Sequence, residues 1–313
     1  MAIVSLNLSM STKCGADCVF CPEERGKQDY NHMSREVVEK VITEVSSKDF
    51  PWEVKTIQVG ENGDALLNPA FISHLQYIRK MMPNVFINLT THFGKLTEEK
   101  SRIILKEGLL DAVQTNIDGH DAETFFAQKR LSYDLVIKNI KGFLKAKEET
   151  GGKAVLSITV LTLKDYNDSV QVTFGGKPSK FAKFKDLDKG VPDSTYEQVV
   201  KSLDWLPKDI AIRDSVRFAW AERSSVDTSL SSKYVCPQLP RVQNEVFISP
   251  SGLWYPCCLD DNMHQAYGNV MERTLVEIHE SKERALLVSR LENRQFEEIG
   301  YPCNTVQACQ VMS

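Results

Sequence analysis

Cys14, Cys18 and Cys21 stand in the spacing Cys-x3-Cys-x2-Cys, with Phe20 just before the last thiol and Pro22 just after it. Three thiolates on so short a loop hold three irons of a 4Fe-4S cube and leave the fourth iron open, whereas an electron-transfer ferredoxin normally fills every corner with cysteine. The spacing therefore points to a cluster that coordinates something other than protein. A zinc knuckle is the competing reading. Zinc wants a fourth Cys or His close by in a closed tetrahedron, and the nearest is His32, eleven residues past Cys21.

The other five cysteines, Cys236, Cys257, Cys258, Cys303 and Cys309, all fall in the last quarter of the 313 residues. The N-terminus lacks the length and basic flank of a signal peptide, and no apolar run approaches a membrane span. The expected location is cytoplasmic, where thiols stay reduced, so eight cysteines read as metal ligands rather than disulfides. A chain of this length that is 42% hydrophobic buries enough for one large domain and a small one. Its net charge of −4 argues against a broad nucleic-acid footprint. The partner expected is a small molecule or a peptide, with no nucleic acid and no membrane.

These cysteines need a scaffold, and the hydrophobic pattern from residue 3 to about 161 alternates strand and helix. Strands are expected at Ile3 to Leu8, Val54 to Val59, Val85 to Leu89, Ala112 to Ile117 and Ala154 to Leu161. Between them, Ser34 caps a helix with Val37, Val38, Val41, Ile42 and Val45 on one face, and further helices run from Phe71 to Met82, Thr97 to Lys106 and Tyr133 to Lys147. Such repeats imply a parallel sheet with right-handed crossovers. Residues 194–206 read as helical, and Ile210 to Trp220 as the last strand. The lysine-rich stretch at about 175–189 reads as a solvated insertion, with an anion-docking flap as the minority reading, and the Ser-rich segment Ser224 to Ser232 as a linker.

Strand ends supply the remaining chemistry. Strand two leads into Gly60-Glu61-Asn62-Gly63-Asp64-Ala65-Leu66-Leu67-Asn68-Pro69, where glycines allow close backbone approach and a carboxylate suits an ammonium. Later ends read Thr90-Thr91-His92-Phe93-Gly94 and Thr115-Asn116-Ile117-Asp118-Gly119, and Lys129-Arg130 precedes Leu131-Ser132-Tyr133-Asp134. With the triad, these motifs resemble the radical S-adenosylmethionine (SAM) superfamily over nearly the whole chain. The resemblance implies an α/β fold, a partial (β/α)6 barrel with the site at the C-terminal strand ends. It implies SAM on the open iron, Glu61 or Asp64 with Gly63 near the SAM amino group, and His92 at the ribose or substrate. It also implies Asn116 and Asp118 near the ribose or methionine moiety, Arg130 on the SAM carboxylate with Lys129 as alternative, and Val160, Leu161 and Phe20 about the adenine.

Cys236-Pro237, the hairpin from Phe247 through Gly252 to Cys257-Cys258, and Gly268-Asn269-Val270 resemble the SPASM/Twitch modules of that superfamily. This implies a second 4Fe-4S cluster held by Cys236, Cys257, Cys303 and Cys309, with Cys258 spare; a zinc site is the alternative. The expected domains are 1–223 for the barrel and 224–313 for a small cysteine-rich auxiliary-cluster domain. The implied activity is oxidation of a small polar substrate, aminocyclitol or sugar-like, with electrons from a flavodoxin- or ferredoxin-like donor. The start of the cluster motif at residue 14 leaves little room for a leader-binding domain ahead of it, which favours that reading over maturation of a ribosomal peptide. A non-catalytic iron-sulfur or zinc-binding protein is the rival from another class, and it gives no reason for the strand-end motifs.

Overall fold

A computed structural model describes residues 3–19, 21, 29, 31–162, 183–184, 192–216, 224–225, 234–236, 238–304 and 311–312. Six parallel strands form one side of the molecule: β1 Ile3–Leu8, β2 Glu53–Val59, β3 Phe86–Thr90, β4 Ala112–Asn116, β5 Val155–Thr162 and β6 Ala211–Val216, adjacent in that order. The crossovers carry α1 Arg35–Val45, α2 Phe71–Met81, α3 Glu98–Lys106, α4 Ala122–Lys129, α5 Tyr133–Thr150 and α6 Tyr196–Ser202. This is the expected partial α/β barrel.

The alternation of each strand sets what faces where. Leu6, Leu8, Ile57, Val59, Ile87 and Leu89 are buried against the helices, so their neighbours in sequence project from the opposite face, as strand geometry requires. On α1, all five residues of the expected face are buried, and the Ser34 hydroxyl accepts the Val37 N–H. Helix α5 ends where Gly151 takes a left-handed conformation, φ 65°, which a glycine adopts without steric cost. Helix α4 was not foreseen. It is started by a reciprocal capping box between Asp121 and Thr124, and its buried side, Thr124, Phe125, Gln128 and Lys129, is mostly polar.

The C-terminal segment adds to this sheet. After α7 Leu239–Asn244, strand β7 Glu245–Ile248 lies parallel to β1, with Leu6 opposite Val246 and Leu8 opposite Ile248. Strands β8 Leu253–Tyr255 and β9 Gly268–Asn269 continue antiparallel, giving one nine-stranded sheet in the order β9-β8-β7-β1-β2-β3-β4-β5-β6. The sheet thus runs across the boundary expected near residue 223. The β7–β8 turn closes with the Gly252 N–H donating to Ser249 O at 3.0 Å and Gly252 at φ 90°, the turn of the hairpin expected through Gly252. Helices α8 Leu275–His279, α9 Lys282–Glu292 and α10 Phe296–Ile299 follow, and one apolar cluster extends from Val38 and Leu6 through Trp254 to Leu275 and Leu291. Of the lysine-rich insertion and the Ser-rich linker, the described parts are Lys183–Phe184 and Ser224–Ser225, which pair antiparallel. Among the described residues, no helix is long and apolar enough to cross a membrane.

Candidate cluster and cofactor sites

The loop after β1 carries the cysteine triad and is fastened at several points. Helix α4 ends with carbonyls that have no partner within the helix, and the loop supplies donors: Asp17 N–H to Lys129 O and Val19 N–H to Gln128 O, both at 3.0 Å. The Cys21 N–H closes back on Cys18 O, also at 3.0 Å, which turns the last two thiols toward one region. Cys18 is buried, and Cys14 and Cys21 are half-buried. None of the seven described cysteines is in a disulfide. His32, the imidazole nearest in sequence to the triad, places Nδ1 3.0 Å from the Ser11 hydroxyl.

Lys129 is the buried cation beside this loop. Its Nζ lies 2.6 Å from Asp118 Oδ2. Burial opposes the charge, but Asp118 and the Cys18 and Cys21 thiols outweigh it and push the ammonium up to about 12. Conversely, a hydrogen bond with Cys21 and burial raise the Cys18 thiol, and Lys129 pulls it down. Three thiols on one loop with a buried positive charge beside them suit the donor chemistry of an iron-sulfur group, whose thiolates carry negative charge.

The strand-end residues distribute around this loop. Gly63, at φ 77°, lets the β2 end pass against it: a Cβ there would lie 2.5 Å from Ser11 O and 2.6 Å from Lys13 O. The next residue bonds the loop directly, Asp64 N–H to Lys13 O at 2.8 Å. The Asp64 carboxylate is fully buried and well supplied with donors. Oδ1 accepts from Leu66 N–H and Thr91 Oγ1 at 3.1 and 3.3 Å, and Oδ2 faces His92 Nε2 at 3.0 Å. Burial opposes its ionisation, yet His92 and these donors hold it below the usual carboxylate range. Burial likewise disfavours charge on His92, but Asp64 and Cys14 raise the ring to about 10. Gly94 N lies 2.9 Å from Nδ1, an acceptor only in the neutral ring with its proton on Nε2 facing Asp64, so the charged form that Asp64 and Cys14 favour gives up this bond.

Other expected contacts fall in different places. Glu61 lies against Arg241 of α7, 3.7 Å from its Nη2, and burial raises its carboxyl. Asn116 is half-buried at the end of β4. Asp118 Oδ1 accepts the Leu161 N–H at 3.2 Å, and Val160 points into the core. Arg130 is exposed and left-handed, φ 53°, with its guanidinium 5.8 Å from the Phe126 ring centroid. Phe20 lies outside the described residues.

The second cysteine group gathers as well. Cys236, Cys257 and Cys303 line one cavity with Pro256, Asp260 and Phe296; Cys309 lies outside the described residues. Burial raises Cys236 to about 11 and lifts Cys257 and Cys303 further. Thiols so placed are protonated unless a metal centre compensates the thiolate charge. Among the described residues, no three His, Cys, Asp or Glu side chains close around a single ion; the three thiols border a space. Cys258 is absent from that lining, and its Sγ accepts from Arg241 Nη1 at 3.3 Å. Asp260, three residues past Cys257, accepts the His264 and Gln265 N–H groups at 2.9 and 2.8 Å, and burial lifts it to about 7. Gln265 in turn donates to Ile299 O and Tyr301 O at 3.1 and 2.8 Å, holding the segment that delivers Cys303.

Comparison with known proteins agrees with this arrangement. The family model of the Radical SAM superfamily matches residues 8–174, and that of an iron-sulfur cluster-binding domain, SPASM, matches residues 236–309. A curated relative, "Probable GTP 3',8-cyclase" of Methanocella arvoryzae, is 26% identical over 168 residues, 53% of this chain and 50% of the relative, so the chain spans about half the length of that protein. Two solved structures share the fold at 14% identity. BtrN in complex with AdoMet and 2-DOIA gives a TM-score of 0.54 over 95% of this chain and 90% of that one. Streptococcus suis SuiB bound to S-adenosylmethionine gives 0.60 over 99% and 78%. A loop of three cysteines at the mouth of a parallel α/β barrel, followed by a second cysteine group on a hairpin of the same sheet, is therefore the frame of a radical SAM enzyme: the chain belongs to the Radical SAM superfamily, with SAM and a 4Fe-4S cluster as its cofactors, and carries a SPASM iron-sulfur cluster-binding domain.

Proposed function

We propose that this enzyme is an oxidoreductase for a small polar substrate bearing hydroxyl or amino groups, held inside the barrel. The observation that carries the reading is the face of the sheet opposite the helices. Asn7, Gln58, Asn88, Thr90, Asn116 and Thr159 alternate with the buried apolar residues on β1 to β5. Gln58 Nε2 donates to Thr90 Oγ1 at 2.8 Å, and Asn7 Nδ2 to Glu245 Oε2 at 3.0 Å. A wall of amides and hydroxyls favours a ligand that returns hydrogen bonds, because each buried polar group left unmatched costs about 1–3 kcal/mol.

Cys14, Cys18 and Cys21 would hold the 4Fe-4S cluster, and Lys129 would offset the charge of its thiolates. Gly63 and the Asp64–His92 pair fix the loop that carries the triad, and Arg130 would meet the SAM carboxylate. SAM bound there would supply, on one-electron reduction, the radical chemistry needed to remove a substrate hydrogen atom. Cys236, Cys257, Cys303 and Cys309 would hold an auxiliary cluster, whose chemistry would be acceptance of the second electron as a proton leaves the substrate for solvent, and a flavodoxin- or ferredoxin-like protein would supply the reducing electron. BtrN, whose fold this chain shares, binds AdoMet together with 2-DOIA, which supports a small-molecule substrate.

The test is anaerobic incubation of reconstituted enzyme with SAM, a reductant and deuterated polyols or amino sugars, with mass spectrometry of 5′-deoxyadenosine. Deuterium transfer from such a compound is the expected result. Transfer only from a peptide would replace this reading with peptide maturation.

A further inference from the structure

Cys257 and Cys258 are adjacent thiols, and the structure turns them to different surroundings. Cys257 borders the cavity shared with Cys236 and Cys303, and Cys258 is turned to the Arg241 guanidinium. Arg241 is itself held in one plane. Its Nε and Nη2 bond both oxygens of Glu245 at 2.9 Å each, and its Cζ lies 5.0 Å from the Phe247 ring centroid. Glu245 is fixed in turn by Asn7 from β1. With the fork committed to Glu245, the remaining edge, Nη1, aims at Cys258 Sγ at 3.3 Å, and Glu61 stands on the same cation at 3.7 Å. A planar, bidentate guanidinium fixes direction in a way that the point charge of a lysine cannot.

We propose that Arg241 is the positioning residue that decides which cysteine of the vicinal pair serves the auxiliary cluster: by retaining Cys258 on the barrel side it commits Cys257 to the cavity. This rests on the reading of Cys257 as an auxiliary ligand.

The experiment uses the full chain with Cys14, Cys18 and Cys21 changed to alanine, so that iron reports on the auxiliary site alone. Four reconstituted proteins are compared: this parent, Cys257→Ala, Arg241→Gln, and Arg241→Gln combined with Cys257→Ala. Iron content, the electron paramagnetic resonance of the reduced cluster, and mass-spectrometric mapping of alkylated thiols are read for each. The parent should hold about four irons, one cube, and Cys257→Ala should lose most of them. Adding Arg241→Gln should restore at least half, with Cys258 now protected from alkylation. Double-variant protein as poor in iron as Cys257→Ala, while Arg241→Gln alone keeps its cluster, would overturn the role of Arg241. Full iron in Cys257→Ala with Arg241 intact would instead overturn the underlying ligand assignment. If Arg241→Gln does not fold, Arg241→Lys, which keeps the charge and removes the fork, is judged by the same criterion.

Discussion

The ammonium of Lys129 stands 2.6 Å from the carboxylate of Asp118, with both side chains buried behind the cysteine loop. Removing one member leaves the other as an unpaired buried charge, which costs about 3–5 kcal/mol. Lys129→Met should therefore destabilise the cluster-free protein by about that much in urea unfolding, and adding Asp118→Asn should recover part of the loss. Since Asp118 and the cysteines raise the Lys129 ammonium to about 12, the pair's contribution is complete below the ordinary lysine value near 10.4 and fades only as pH rises through about 12. The loss should thus be equal at pH 6 and pH 8, and a strong difference between them would count against the pairing.

Changing Cys14, Cys18 and Cys21 together to alanine should abolish formation of 5′-deoxyadenosine and leave roughly half of the wild-type iron, the share of one cube in two. Continued SAM cleavage by that variant would remove the triad from the chemistry.

Arg130 combines a charge with a left-handed backbone, φ 53°. Glycine relieves a left-handed residue by about 1–2 kcal/mol, whereas loss of a charge-assisted bond to a carboxylate costs about 1.5–3 kcal/mol. Arg130→Gly should accordingly bind SAM more weakly, by calorimetry, while melting no lower than wild type. Arg130→Ala should lose binding equally without gaining stability. Unchanged affinity in both would place the carboxylate contact elsewhere, with Lys129 the first alternative.

At Gly63 the left-handed backbone and the 2.5 Å approach to Ser11 O act together. Gly63→Ala should cost more than the about 1–3 kcal/mol of backbone strain alone, and the N-terminal cluster should reconstitute poorly while the auxiliary cluster forms. Equal yields of both clusters would show that the loop tolerates the methyl group.

Cys257→Ala should reduce product formation more than SAM cleavage, and Cys258→Ala should be the milder change, because Cys257 lines the cavity and Cys258 does not. Product and deoxyadenosine measured in the same reaction give the ratio directly.

What the sequence discloses depends on whether the physics is local. The face of α1 is legible because five apolar residues recur at helical spacing, and the triad is legible because spacing is itself the ligand chemistry. Helix α4 escapes the same reading because it buries Gln128 and Lys129 beside a single aromatic, Phe125. Lys129 and Arg130 stand together in the motif, and only the docking of α4 on the cysteine loop shows which one is buried. Arg241 and Glu245 show only the local sign of opposite charges four residues apart, and their contacts with Cys258 and Asn7 exist only once β7 lies beside β1.

That pairing has a consequence for how the molecule is made. Asn7 and Glu245 touch across 238 residues of chain, so β1 leaves the ribosome long before its partner strand β7 is made. Until then one edge of β1 presents unpaired N–H and C=O groups, a template for pairing with other chains. A fragment ending at residue 223 keeps that edge open permanently. It should associate or precipitate where the longer chain does not, and added peptide 238–270 is the natural means of closing it.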